Sequence, residues 1–160
     1  LRKKSGVRYK LIEMVYLTES IHGLGLSAAH KAVRHESGVW QVDPMMANVC
    51  KQAVTRLPYE VGRLAEDLSG GLTATLPTLD LLEHPEMGDW MRLLSGGRKR
   101  AEMYRLVEYM TYGAGAVPLR IECMHGAGSP AAQRIAMERI TPWEEKVSFA
   151  RSLASPRAES

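Results

Sequence analysis

Between Asp43 and Gly71 the apolar residues Met46, Cys50, Ala53, Leu57, Val61, Leu64 and Leu68 recur every three or four positions, the stripe of an amphipathic helix. The run opens on Asp43 and Pro44. An aspartate at an N-cap accepts from an unpaired backbone N–H, and a proline at the first helical position gives up no paired one. It closes on Gly70 and Gly71, residues that take the positive φ angles on which helices end. The spacing predicts one helix over this stretch, with Pro58 interrupting its middle. Cys50 lies on the stripe with Lys51 and Arg56 close beside it, so it is either ordinary core or the start of a site.

Two further long patterns flank it. From about Val7 to about Arg34, Val7, Leu11, Met14, Val15 and Ile21 keep helical spacing. Gly23 and Gly25 either allow close approach of another backbone or ligand, or mark a kink. From Arg98 to about Met124 the pattern is Met103, Leu106, Met110, Ala114, Val117 and Ile121. The small residues 113–116 suit close helix packing, and Pro118 bends the helix. Residues 1–6 read as a basic lead-in and 35–42 as a loop or short extended segment. The stretch 72–90 reads as a loop, with a short helix around 85–94. Ser129-Pro130 starts a helix to about Ile140. Thr141-Pro142-Trp143-Glu144 reads as a capping box opening another to about Ala154. No segment alternates well enough for a strand. The fold class expected is all-α, an antiparallel helical bundle over 1–154 with a frayed tail at 155–160.

At 160 residues the chain suffices for one domain with a core. A net charge of +3 with both signs mixed throughout leaves no basic face for nucleic acid. No apolar run of 18 residues suggests a membrane span. Two cysteines and no signal pattern fit a reducing, cytoplasmic setting. A chain beginning at Leu1 is expected to be the C-terminal piece of a longer protein.

Residue chemistry marks several candidates. The Cys50 thiolate, favoured by neighbouring Lys51, suits iron–sulfur ligation; the alternative is a small core residue. Cys123 reads as structural. His22, His30 and His35 lack the spacing that puts two rings on one metal, and read as surface. Glu122, beside a helix break and next to Ile121, is either a partly desolvated general base or a capping or salt-bridged carboxylate. The segment Gly126–Pro130 offers backbone N–H groups to an anion or is a plain interhelical turn. Arg56, Arg63 and Arg134 could hold pyrophosphate or carboxylate groups.

The blocks ANVCKQAVTRLPYEVGRLAEDLSGGL (47–72) and IECMHGAGSPAAQRIAMERI (121–140) resemble one family. It joins the 4-hydroxybutyryl-CoA dehydratase/vinylacetyl-CoA isomerases to the flavin-dependent 4-hydroxyphenylacetate 3-hydroxylases, and the likeness is greater to the dehydratase branch. The resemblance implies the C-terminal helical domain of an acyl-CoA-dehydrogenase-like fold, with FAD and a tetrameric assembly in complete members. It further implies a [4Fe–4S] cluster held by three cysteines and a histidine, with Cys50 as the cysteine this chain supplies. Lys51 matches the adjacent family lysine and Glu122 the acid/base glutamate. Arg56, His125, Gly126 and Ala127 are the candidate cofactor-binding residues. The chain departs from the family pattern at Asp43, where the ligand histidine is expected, and at Ala47, where a tyrosine is. The activity implied is radical dehydration of 4-hydroxybutyryl-CoA to crotonyl-CoA, with isomerisation of vinylacetyl-CoA. The alternatives are a reduced-flavin aromatic hydroxylase and a helical assembly module without chemistry of its own.

Overall fold

The computed structural model describes residues 5–76, 78–126 and 128–154. Helix makes up 77% of it, so the fold is the all-α bundle expected. Helix α1 (Ser5–His30) runs unbroken through Gly23 and Gly25 for about 39 Å. It stops short of Arg34 because Val33–Arg34 (β1) turns back to pair with Trp40–Gln41 (β2) in an antiparallel hairpin. A strand pair thus exists where none was expected. It is only two residues deep and held by a turn at Gly38, whose φ is +86°.

The single helix expected over 43–71 is two: α2 (Pro44–Val54) and α3 (Leu57–Ser69). Pro58 has no N–H to give, and its ring would strike the carbonyl of Val54, so the chain turns at Thr55–Arg56. The outer boundaries are those the caps predict. Asp43 Oδ1 accepts from Met46 N–H at 2.7 Å, and Gly70 closes α3 at φ +64°.

The stretch expected to be mainly loop contains the best-buried cluster. Helix α4 (Leu72–Thr75), a 3-10 turn (Leu79–Glu83) and α5 (Gly88–Ser95) fold against α6 (Arg98–Thr111). Leu76, Leu82, Ala101 and Tyr104 are buried there, with Leu72, Leu79 and Met91 packed around them. Arg105 fastens the cluster by donating to the carbonyls of Thr73 and Leu76 at 3.1 and 2.7 Å. Apolar spacing too short for a long helix still buries leucines once several short pieces share one partner helix.

The third long helix also breaks. Helix α6 ends at Thr111, and after a turn at 112–116 come a π-turn (Val117–Glu122) and α7 (Cys123–His125). A Cβ at Gly113 would lie 2.8 Å from the Tyr109 Cα, and one at Gly115 would run into the Tyr109 ring. These small residues therefore let the chain fold back over Tyr109; they are not a helix interior.

Helices α8 (Pro130–Ile140) and α9 (Trp143–Ala154) complete the chain. Ser129 Oγ caps α8 by accepting from Ala132 N–H, as its Ser-Pro start predicts. The Thr141 hydroxyl donates back to the Met137 carbonyl at 2.6 Å. Helix α1 packs on α2 and α3, α3 on α6, and α2 on α8. The expected tail at 155–160 lies outside the described residues.

Candidate functional site

The half of α2 that carries Cys50 and Lys51 is held against the start of α8 by Gln52. Its amide donates to the Pro130 carbonyl at 3.0 Å and to Gln133 Oε1 at 2.7 Å. Gln133, only 4% exposed, donates in turn to the Gly128 carbonyl at 3.0 Å. Arg134 Nε reaches Gln52 Oε1 at 3.3 Å. A glutamine pair eighty-one positions apart thus brings Cys50 and Lys51 into the neighbourhood of the glycine turn at 126–129. Sequence reasoning missed both glutamines. The only signal was a polar residue on the inward side of each helix.

Cys50 is half-buried, and its Sγ lies 3.7 Å from the Ile21 carbonyl across the α1 contact. A Cβ on Gly25 would be in ordinary contact with that sulfur at 3.8 Å, so the α1–α2 packing has room for a small side chain there, and the helix passes it without a kink. Asp43 spends a carboxylate oxygen on the α2 cap. His35 Nδ1 is engaged inside the hairpin, 3.0 Å from Ser37 Oγ. Among the described residues no three His, Cys, Asp or Glu side chains converge as a metal site. The donor set here is one thiol, and it does not by itself fit an iron–sulfur cluster. His22, His30 and His35 are exposed, as expected.

Glu122 ends the π-turn and is exposed, so of its two readings the partly desolvated carboxylate does not describe this chain. Its carbonyl accepts from Gly126 N–H at 2.6 Å, and a Cβ on Gly126 would come within 2.8 Å of that oxygen. Gly128 N–H donates to the His125 carbonyl, and Ala132 N–H to Ser129 Oγ. The N–H groups at 126 and 128 are thus spent within the turn and are not offered to an anion. Arg63 is likewise spent, forked onto Glu60 at 2.8 and 2.6 Å. That hydrogen bond holds the Glu60 carboxyl below its usual range and raises Arg63. Arg56 and His125 are exposed. Ala127 lies outside the described residues.

Beside these groups runs an apolar groove of about 560 Å³ between α1, α3 and α6. Met14, Ile21, Val61, Ala65, Leu106 and Met110 are among its lining, and Arg120 of the π-turn stands at its wall. The Arg120 guanidinium lies 4.5 Å from the centre of the Tyr59 ring. Among the described residues no helix is long and apolar enough to cross a membrane.

This helical bundle is a domain that known enzymes share. The family profile described as 4-hydroxyphenylacetate 3-hydroxylase C terminal matches residues 1–155, and the chain belongs to that family. It is 37% identical over 96% of its length to the 4-hydroxybutyryl-CoA dehydratase/vinylacetyl-CoA-Delta-isomerase of Clostridium aminobutyricum. The structure of an oxygen-tolerant archaeal 4-hydroxybutyryl-CoA dehydratase from N. maritimus superposes with a TM-score of 0.87 at 42% identity, over 99% of this chain. The oxygenase component of 4-hydroxyphenylacetate 3-monooxygenase, complexed with FAD and 4-hydroxyphenylacetate, matches 95% of the chain with a TM-score of 0.79. At 16% identity that is likeness of fold. The chain spans about a third of the length of each of these relatives, 34%, 33% and 33%.

Proposed function

We propose that this chain is the C-terminal helical domain of a flavin-dependent lyase/isomerase that dehydrates 4-hydroxybutyryl-CoA to crotonyl-CoA. The observation that carries the reading is the identity of 37% and 42% to two dehydratases across nearly the whole chain, against 16% to the oxygenase. In this reading FAD would supply electron transfer to and from the acyl-CoA when bound, and Arg56 and His125 would help hold it. Glu122, exposed at the end of the π-turn, moves the proton. Lys51 adds a positive charge near the same end of the bundle. Cys50 offers one thiolate; an iron–sulfur cluster would take its other ligands from outside the described residues, and no step is assigned to it. The complete enzyme is proposed to work as a homotetramer in a reducing, cytoplasmic setting.

A second reading, a reduced-flavin aromatic hydroxylase, is favoured by one observation: Cys50 packs as a lone core thiol and Asp43 serves as a helix cap. The full-length protein separates the two. Formation of crotonyl-CoA from 4-hydroxybutyryl-CoA, bound iron lost on Cys50→Ala, and turnover reduced by about 100-fold or more in Glu122→Gln are expected. Iron-free protein that hydroxylates a phenol with reduced flavin would sink the dehydratase reading.

A further inference from the structure

We infer that Arg120 is a positioning residue for Glu122, acting by pinning the π-turn to α3 and α6. The inference rests on the acid/base reading of Glu122. Two residues apart on a helical turn, the side chains face different ways. Arg120 is only 22% exposed and turned into the bundle, while Glu122 is exposed. Holding one inward therefore presents the other outward.

The hold on Arg120 comes from three contacts with two helices, α3 and α6. Its guanidinium stacks on the Tyr59 ring of α3 at 4.5 Å, a cation–π contact strengthened by partial burial. A guanidinium N–H donates to the Thr111 carbonyl, one of those left over at the end of α6. Glu66 of α3 stands 3.9 Å away. The backbone is engaged as well, since the Tyr59 hydroxyl donates to the Arg120 carbonyl at 3.4 Å. Gly62 of α3 packs beside the same group: a Cβ there would sit in ordinary contact with the Arg120 Cζ at 3.8 Å and Thr111 Cγ2 at 3.6 Å. A π-turn needs such a hold, because its wide i→i+5 ring competes with the tighter α geometry, and such turns recur at functional sites.

The test uses the full-length protein and two independent measurements. Hydrogen exchange across residues 116–126 reads the pin without reference to activity. Steady-state dehydration of 4-hydroxybutyryl-CoA reads its consequence. Arg120→Met and Tyr59→Leu are expected to speed exchange in this segment and lower kcat by about 100-fold, the scale of a 1 Å misplacement, with KM little changed. Tyr59→Phe, which keeps the ring and loses only the 3.4 Å hydroxyl contact, is expected to stay within a few-fold of the parent in both, and an effect as large as that of Tyr59→Leu would overturn the ring's part in the pin. In a Glu122→Gln background Arg120→Met should cost nothing more. Unchanged exchange in Arg120→Met overturns the pin. Faster exchange with undiminished kcat, or a full further loss in the Glu122→Gln background, overturns the positioning role. A fully active Glu122→Gln overturns the acid/base reading and the positioning role with it, while the exchange result still decides the pin.

Discussion

Two glycines show how one residue type takes opposite roles. Gly23 stands mid-helix, and a Cβ added there would have nothing within 4 Å, whereas a Cβ on Gly113 meets backbone at 2.8 Å. Gly23→Ala is expected to stabilise by about 0.4–1 kcal/mol through the unfolded chain. Gly113→Ala should destabilise by about 1–3 kcal/mol, because the Tyr109 backbone must move. Urea midpoints of the two variants check both signs. The caps are readable from the sequence because their chemistry is local: Asp43 and Ser129 each bond three residues ahead, and Gly70 takes its positive φ in place. Gln52 and Gln133 are not, because their meaning lies in a contact that no local pattern encodes. The family resemblance singles out Cys50 and Glu122, but not that one is packed against Ile21 and the other exposed.

Among the helices, the α1–α3 contact carries a clasp whose strength follows pH. Lys10 Nζ lies 2.7 Å from Asp67 Oδ2. That hydrogen bond, aided by the charges of Lys10 and Arg63, holds the Asp67 carboxyl below its usual range. A depressed carboxylate contributes stability above its unfolded pKa and loses it as pH falls through the lower folded value. Asp67→Asn should therefore lower the melting temperature near pH 7, and the gap to the parent should close by about pH 2. A gap that stays constant across that range would remove the clasp from the account. The long helices are legible as periodic stripes, and their breaks only half so. Pro58 and Pro118 both announce a disturbance. Whether a proline bends a helix or separates two depends on the packing around it, and the bond from Arg120 to the Thr111 carbonyl, left over at the end of α6, exists only in three dimensions.

Taken whole, the chain buries little of its apolar surface. All three tryptophans are more than half exposed, Trp40 at 67%, Trp90 at 68% and Trp143 at 56%. One side of α1 shows Tyr9, Ile12, Val15 and Tyr16, and α9 shows Phe149 and Leu153. Patches of this kind mark surfaces that other protein covers. The 160-residue chain on its own is expected to bind a hydrophobic dye, to associate as its concentration rises in sedimentation velocity, and to leave FAD fluorescence unchanged. A dye-silent monomer would show that these faces are tolerated bare, and tight FAD binding would place a complete flavin site within this chain.

The π-turn carries a further consequence for how such a domain can vary. A wide turn holds one residue more than the α-helical path it replaces. Deleting a single residue between Gly115 and Pro118 would remove that surplus and let the segment relax towards ordinary helix. The residues between the deletion and α7 would then reseat, Arg120 against α3 and α6 among them, with the internal structure of α6 and α8 untouched. The length of chain in the turn is thus part of what seats Arg120, alongside the chemistry of its partners.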